Sequence, residues 1–343
     1  MLSDSLSDDA VSRFDSRKIY SVYQSWPEFA EKDSGISVPI DKGEYERVIY
    51  VASGGSASAG DIISDWLLAS DGVELSVFKG YLPKVKLSKA LVIVCSTSGG
   101  TGDTIRLCER LAAQKATMVT ISSGGRLKEV AQKMKIPHVP VPIELAPRYS
   151  LPHTLFTTLS VLRAAGVIAA QQSEIKEAVE SMKKTAPLLS VETPISKNPA
   201  KHYAQLVTST IPKIYGSSIT KGVAQRFKTC LNENAKIHVM WESAPELFHN
   251  EVESWESNDR RFTPFFLRHT AEPAPERERF DAFIDILKGK GVECVQIRGF
   301  DGGNLSQLVS LVYQLDFATY YAAVLRGIDP FRVRIIEQLK NAS

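Results

Sequence analysis

Short apolar runs that end in Gly/Ser turns and lead into helix-period segments restrict this chain more than any other feature. ERVIYVAS, ending in Gly54-Gly55-Ser56, precedes the helical DIISDWLLAS. VELSVFKGY follows, then KALVIVC, which opens into Ser96-Thr97-Ser98-Gly99-Gly100-Thr101 and the helix-like IRLCERLAAQKA. ATMVTISS leads to the helical RLKEVAQKM, and IPHVPVPI closes the series. A strand that is apolar along its whole length has both faces covered, which is the pattern of a parallel sheet with crossover helices. The expected fold class is therefore α/β, with mainly parallel sheets flanked by helices.

The theme recurs after a break. His153–Lys184 is helical in period, and Pro187, Pro194 and Pro199 then interrupt it. IPKIYGSS enters a Gly-Ser turn as VIYVASGGS does, followed by the helical KGVAQRFKTCLNEN, strands KIHVMW and TPFFLRH, helix FDAFIDILKGK and strand VECVQIRG. A long helix from about Leu305 to Leu325 and a short one from Pro330 to Lys340 end the sequence. The expected organisation is a helical lead-in at 1–36, with an amphipathic helix around Lys18–Lys32, a first subdomain at 37–190 and a second at 191–343, related as a weak internal repeat. A chain of 343 residues accommodates two such units.

Composition narrows the function. The formal charge is +2, from 41 basic and 39 acidic residues. So small a surplus excludes a nucleic-acid footprint, and any anion has to be held by a local site. Cys95, Cys108, Cys230 and Cys294 form no CxxC pair, as in a reduced compartment. MLSDSLSDDAVSRFDSRK does not read as a signal peptide, and no apolar run approaches the roughly 18 residues of a membrane span. A cytoplasmic protein without membrane contact is expected. The six histidines show no HxH or HExxH spacing, so no metal centre is expected.

The strongest local signal for chemistry is the segment Ser96–Thr104. A helix N-terminus offers backbone N–H groups and the positive end of the dipole; glycines allow close approach, and Ser/Thr hydroxyls add donors without net charge. The segment fits a phosphate, although an ordinary N-capped turn has the same residues. It is not a P-loop, because Gly-Lys-Ser/Thr is missing. VASGGSASAGD does not spell GxGxxG, which argues against a dinucleotide turn.

Taken in order, VASGGSASAGD, CSTSGGTGDT, APRYSLP, GVAQRFKTCLNENAK, PELFHNEVESWE and GIDPFRVRIIEQLK resemble the bifunctional phosphoglucose/phosphomannose isomerases of the sugar-isomerase (SIS) superfamily, over about residues 45–340. The resemblance implies two SIS subdomains with the active site in the cleft between them, and interconversion of glucose 6-phosphate or mannose 6-phosphate with fructose 6-phosphate. It further implies that Ser96, Ser98 and Thr101 bind the phosphate, with Thr104 at the helix start, and that Gly55 and Ser56 contact the sugar. Arg148 matches the arginine that steadies the enediolate, and Glu251 the base that carries the proton between C1 and C2. His269 matches the ring-opening histidine, supplied by the neighbouring subunit of a homodimer, with His249 as its competitor. Lys340 matches the lysine that assists at the ring oxygen. Without the resemblance Glu251 is one of four helix-surface carboxylates, with Glu246, Glu253 and Glu256.

The chemistry asks for such a set: a carboxylate base, a fixed cation at the developing oxyanion and an acid/base pair, with no cofactor. The chain departs from the family loop at Thr97, usually Tyr, at Gly100, usually Asn, and at Gly102-Asp103, usually an acidic pair. Two other functions keep the same fold: a non-catalytic sugar-phosphate sensor, and an aminosugar-phosphate isomerase.

Overall fold

In the computed structural model, residues 6–69, 73–82, 84–168, 172–257 and 259–341 are described. Contacts divide the chain into two units. One comprises Ser25–Ser181 with Asp301–Leu308; the other comprises Met1–Gln24, Met182–Phe300 and Val309–Ser343.

The first unit holds β1 (Arg47–Val51), β2 (Glu74–Phe78), β3 (Ala90–Cys95), β4 (Thr117–Ser122) and β5 (His138–Pro140). All pair in parallel, in the order β2-β1-β3-β4-β5. The central β3 is buried along its whole length, which is why its sequence shows no alternation. Ile49, Val92 and Val94 join Ile105, Leu107 and Leu111 of the helix Gly102–Ala113 in one apolar cluster. The strand order reverses direction between β1 and β3. In an open parallel sheet that switch point opens a crevice at the carboxyl ends of the strands, where ligands bind. The turns Gly54–Ser56 and Ser96–Thr101 both lie there.

The second unit holds β6 (Ile211–Gly216), β7 (Met240–Ser243), β8 (Phe262–Arg268) and β9 (Val295–Arg298), again all parallel, in the order β7-β6-β8-β9. Its switch point lies between β6 and β8. An aromatic cluster of Tyr215, Trp255, Phe266, Phe280 and Phe283 packs on this sheet.

Several local expectations change. The strand expected over KIHVMW begins only at Met240, because Lys236 is a left-handed cap (φ 56°) ending the helix Lys221–Cys230 and its π-turn Leu231–Ala235. The segment expected to carry Glu251 on an α-helix forms two 3-10 stretches, Glu246–His249 and Glu251–Ser257. The amphipathic segment around Lys18–Lys32 is two helices, Ile19–Gln24 and Trp26–Ser34. The helix Asn304–Leu325 is, at 22 residues, long and apolar enough to cross a bilayer, contrary to the expectation from runs, since Ser310, Asp316 and Thr319 only interrupt its apolar content; 94% of its most apolar stretch is buried inside the protein.

Candidate active site

In the first unit the loop after β3 is shaped by backbone before side chains matter. Gly99 has φ +67°, and a Cβ there would overlap the carbonyl oxygen of Gly124 in the turn after β4. Leu127 N–H donates to Gly99 O at 2.9 Å and Ser123 N–H to Thr97 O at 2.9 Å. The two turns therefore interlock, which glycine alone permits at this φ.

The hydroxyls divide into bonded and presented groups. Ser96 is buried and donates to Thr101 Oγ1 at 3.0 Å, while Ser98 is exposed. Thr101 occupies the N-cap of the helix Gly102–Ala113 without capping it through its side chain. Thr104 Oγ1 is buried with no hydrogen-bond partner. Ser56 is buried, its Oγ 2.8 Å from Thr97 Oγ1 and accepting from Thr97 N–H at 3.0 Å. Thr97, a departure from the family loop, thus ties the turn after β1 to the turn after β3. The Cys95 thiol, beside the loop, has its pKa pushed up to about 12 by burial and stays protonated.

Arg148 joins the same place. A Cβ on Gly55 would lie 2.9 Å from Arg148 N, so the Gly54–Ser56 turn packs directly on the backbone of the 3-10 turn Pro147–Tyr149. Arg148 is 5% exposed, its guanidinium 4.4 Å from the centre of the Tyr149 ring. Gly55, Ser56, Ser96, Ser98, Thr101 and Arg148 are therefore gathered at one end of one sheet. A buried pair behind them escaped the sequence reading: His153 Nδ1 lies 2.5 Å from Asp33 Oδ2, with the imidazole stacked on Phe29. Its partners are 120 residues apart, so no local spacing marks them.

In the second unit Glu251 follows the short turn after β7. Its side chain is 22% exposed. Oε1 receives Lys213 Nζ at 2.5 Å, Tyr215 OH at 3.0 Å and Ser254 Oγ at 3.4 Å, whereas Oε2 accepts no hydrogen bond from the described residues. Burial first, then the Glu251 charge, pushes the Tyr215 phenol far above its ordinary range, so it stays a donor. Lys213 and Tyr215 were also missed; the signal available was a lysine inside an otherwise apolar strand.

His269 lies just beyond β8, at the switch point, and is 4% exposed. Its Nδ1 accepts from Ala271 N–H at 3.0 Å, and its own N–H donates to Glu272 Oε1 at 2.7 Å. Arg268 pairs with Glu272 and Asp281 and fixes this turn. His249 is exposed, two residues before Glu251. Lys340 lies in the helix Arg334–Asn341, its side chain outside the described set. The other half of the internal repeat, the turn Ser217–Thr220 after β6, meets Glu276: Ser218 N–H donates to its carboxylate at 2.9 Å. Among the described residues no group of three His, Cys, Asp or Glu could hold a metal ion.

Two parallel sheets flanked by helices, with hydroxyl-rich turns at their switch points, define a protein of the SIS type. The family model for the bacterial phospho-glucose isomerase C-terminal SIS domain matches residues 196–342. A hypothetical protein from Thermus thermophilus superposes with a TM-score of 0.72, covering 99% of this chain and 93% of its own at 14% identity, a likeness of fold alone. The bifunctional phosphoglucose/phosphomannose isomerase of Aquifex aeolicus is 30% identical over 305 residues, covering 88% of this chain and 91% of that protein. That of Caldicellulosiruptor bescii is 29% identical over 328 residues, covering 94% and 97%. The chain belongs to the bifunctional phosphoglucose/phosphomannose isomerase family.

Proposed function

We propose that this enzyme interconverts glucose 6-phosphate and mannose 6-phosphate with fructose 6-phosphate by proton transfer through an enediolate. The phosphate is held by Ser96, Ser98 and Thr101 with the N-terminus of the helix Gly102–Ala113, where amide dipoles favour an anion. Gly55 and Ser56 contact the sugar. His269 and Lys340 open the ring, giving the free carbonyl. Glu251 then removes the C2 proton of the aldose and returns it to C1, forming the ketose. Arg148 stabilises the oxyanion that develops between these steps; a buried guanidinium is pre-oriented and needs no reorganisation as charge appears. The residues act without metal or redox cofactor.

The observation that carries the enzyme reading over a non-catalytic sensor is Glu251, with one oxygen held by three donors and the other unbonded among the described residues. A sugar-phosphate sensor has no use for a carboxylate so prepared, whereas a base requires one free lone pair. For ring opening, His249 is the specific competitor, because His269 is buried and its Nδ1 is occupied. A homodimer contributing His269 across its interface and a cytoplasmic location complete the reading; four free thiols support the latter.

The test is a coupled assay on glucose 6-phosphate, mannose 6-phosphate and glucosamine 6-phosphate, with and without chelator. Turnover of the first two, unchanged by chelator, and a fall of at least about 100-fold in Glu251→Gln are expected, the usual scale of general-base catalysis. Activity on the aminosugar alone, or Glu251→Gln retaining more than a few per cent of turnover, overturns it. His269→Gln and His249→Gln compared on the cyclic substrate separate the two histidines.

A further inference from the structure

We propose that His153 and Trp26 are positioning residues for Arg148, holding the turn Pro147–Tyr149 so that the guanidinium has one placement. This role presupposes Arg148 at the developing oxyanion and is independent of the residue that serves as base.

The turn that carries Arg148 is built on backbone that needs support. Leu145 is left-handed (φ 56°), a conformation disfavoured for a residue with a side chain, and it persists where neighbouring contacts over-determine it. Such contacts stand on both sides of the arginine. Glu144 N–H donates to Ser150 Oγ at 2.7 Å, closing the loop over Leu145 to Tyr149. Tyr149 O accepts from Trp26 Nε1 at 2.9 Å, and Trp26 is buried. The fully buried Tyr149 ring is the surface on which the Arg148 guanidinium lies.

His153 supplies the other support. It lies in the first turn of the helix Leu151–Ala164, directly after the Arg148 turn. A carboxylate only accepts, so Nδ1 is the donor to Asp33 Oδ2. Asp33 is tied to the same helix a second time, because Ser160 Oγ donates to its backbone carbonyl at 2.9 Å. His153 Nε2 lies 3.4 Å from Glu144 Oε1. The imidazole therefore sits between the helix Trp26–Ser34 and the residue that opens the loop, with one face on Phe29. Apolar contacts alone could join these two helices without the cost of burying polar groups. What the buried hydrogen bonds add is a single arrangement of the loop.

A guanidinium stabilises an oxyanion best when it already stands where the charge will appear. Misplacement by about 1 Å can cost about 100-fold in rate. Arg148 sits on a short turn rather than inside a long helix or strand, so its placement comes from the side chains that hold the turn.

The experiment measures kcat and KM for fructose 6-phosphate in wild type, His153→Phe, His153→Asn, Trp26→Phe, Arg148→Ala and His153→Phe/Arg148→Ala. Urea midpoints confirm folding at the assay temperature. His153→Phe keeps a ring on Phe29 but removes both nitrogens, and His153→Asn restores a donor for Asp33. Trp26→Phe keeps an aromatic ring and removes the donor to Tyr149 O. His153→Phe is expected to lose about 10–100-fold in kcat with KM within twofold, since the loop Ser96–Thr101 is untouched. His153→Asn should recover part of that loss, and Trp26→Phe should lose a smaller factor. With Arg148 already alanine, adding His153→Phe lowers kcat no further, which a histidine serving stability alone would not reproduce. If His153→Phe and Trp26→Phe turn over within twofold of wild type while Arg148→Ala falls at least about 100-fold, the positioning role is overturned and Arg148 keeps its own. Should His153→Phe fail to fold, Trp26→Phe within twofold of wild type overturns it alone. An equal loss from His153→Phe with and without Arg148 also overturns it. If Arg148→Ala turns over as wild type does, the arginine assignment falls and takes the positioning role with it.

Discussion

Replacing Gly99 by alanine tests the loop architecture on which the proposed phosphate capture depends. The residue sits at φ +67°, where an L side chain costs about 1–2 kcal/mol. Its new Cβ also overlaps Gly124 O, and Gly124 cannot retreat cheaply. Gly124 N–H donates to Ser122 Oγ at 3.2 Å, and Ser122 Oγ donates back to Gly124 O at 2.9 Å. Forcing atoms into such packing costs about 1–3 kcal/mol more. The sum is about 2–5 kcal/mol of stability, together with displacement of Ser98 and Gly100 from the helix N-terminus. Urea denaturation reads the first effect, and KM for fructose 6-phosphate the second, expected to rise at least about tenfold. Gly100→Ala is the control: the nearest atom to its Cβ, Ser98 Oγ, is 3.9 Å away, and stability should hold within about 0.5 kcal/mol. Gly99→Ala matching Gly100→Ala in both measurements would refute the interlocking of the two turns.

Two further outcomes concern stability. Arg226 and Asp316 form a pair with side chains 2% and 1% exposed, so Arg226→Met strands a buried carboxylate and should cost about 3–5 kcal/mol, whereas Arg226→Met with Asp316→Leu should recover most of it in the same denaturant titration. Burial, then the nearby Lys128, lowers the His138 pKa from 6.5. With the folded value below the unfolded one, its contribution is complete above about pH 6.5 and is lost as pH falls through the folded value. Denaturation midpoints at pH 7.5 and 5 should therefore differ less in His138→Gln than in wild type; an equal acid loss in both would remove His138 from the account.

The strands and their turns were legible because a two-sided buried strand writes itself as an unbroken apolar run: LVIVC is β3, and KIYG is the heart of β6. The loop Ser96–Thr101 was legible for the related reason that a strand-to-helix turn needs glycine and hydroxyl residues at fixed offsets. What lay hidden is non-local. Lys213 and Glu251 are 38 residues apart, and a lysine on a strand names no partner. The pairing of His153 with Asp33 is likewise made only by folding. The 3-10 geometry of Glu246–His249 and Glu251–Ser257 was masked because PELFHNEVESWE has helical composition. The start of β7 was missed because apolar Ile237 suggested a strand where a left-handed lysine was still ending a helix.

The contact between Ser218 N–H and Glu276 has a bearing on stoichiometry. A carboxylate tethered to the turn competes with any free anion at an effective concentration set by the fold. Dissolved phosphate or sulfate must displace that resident group before it can use the amide. A sequence that repeats its architecture twice therefore does not offer two equal berths, because in the second turn Glu276 already holds the Ser218 amide.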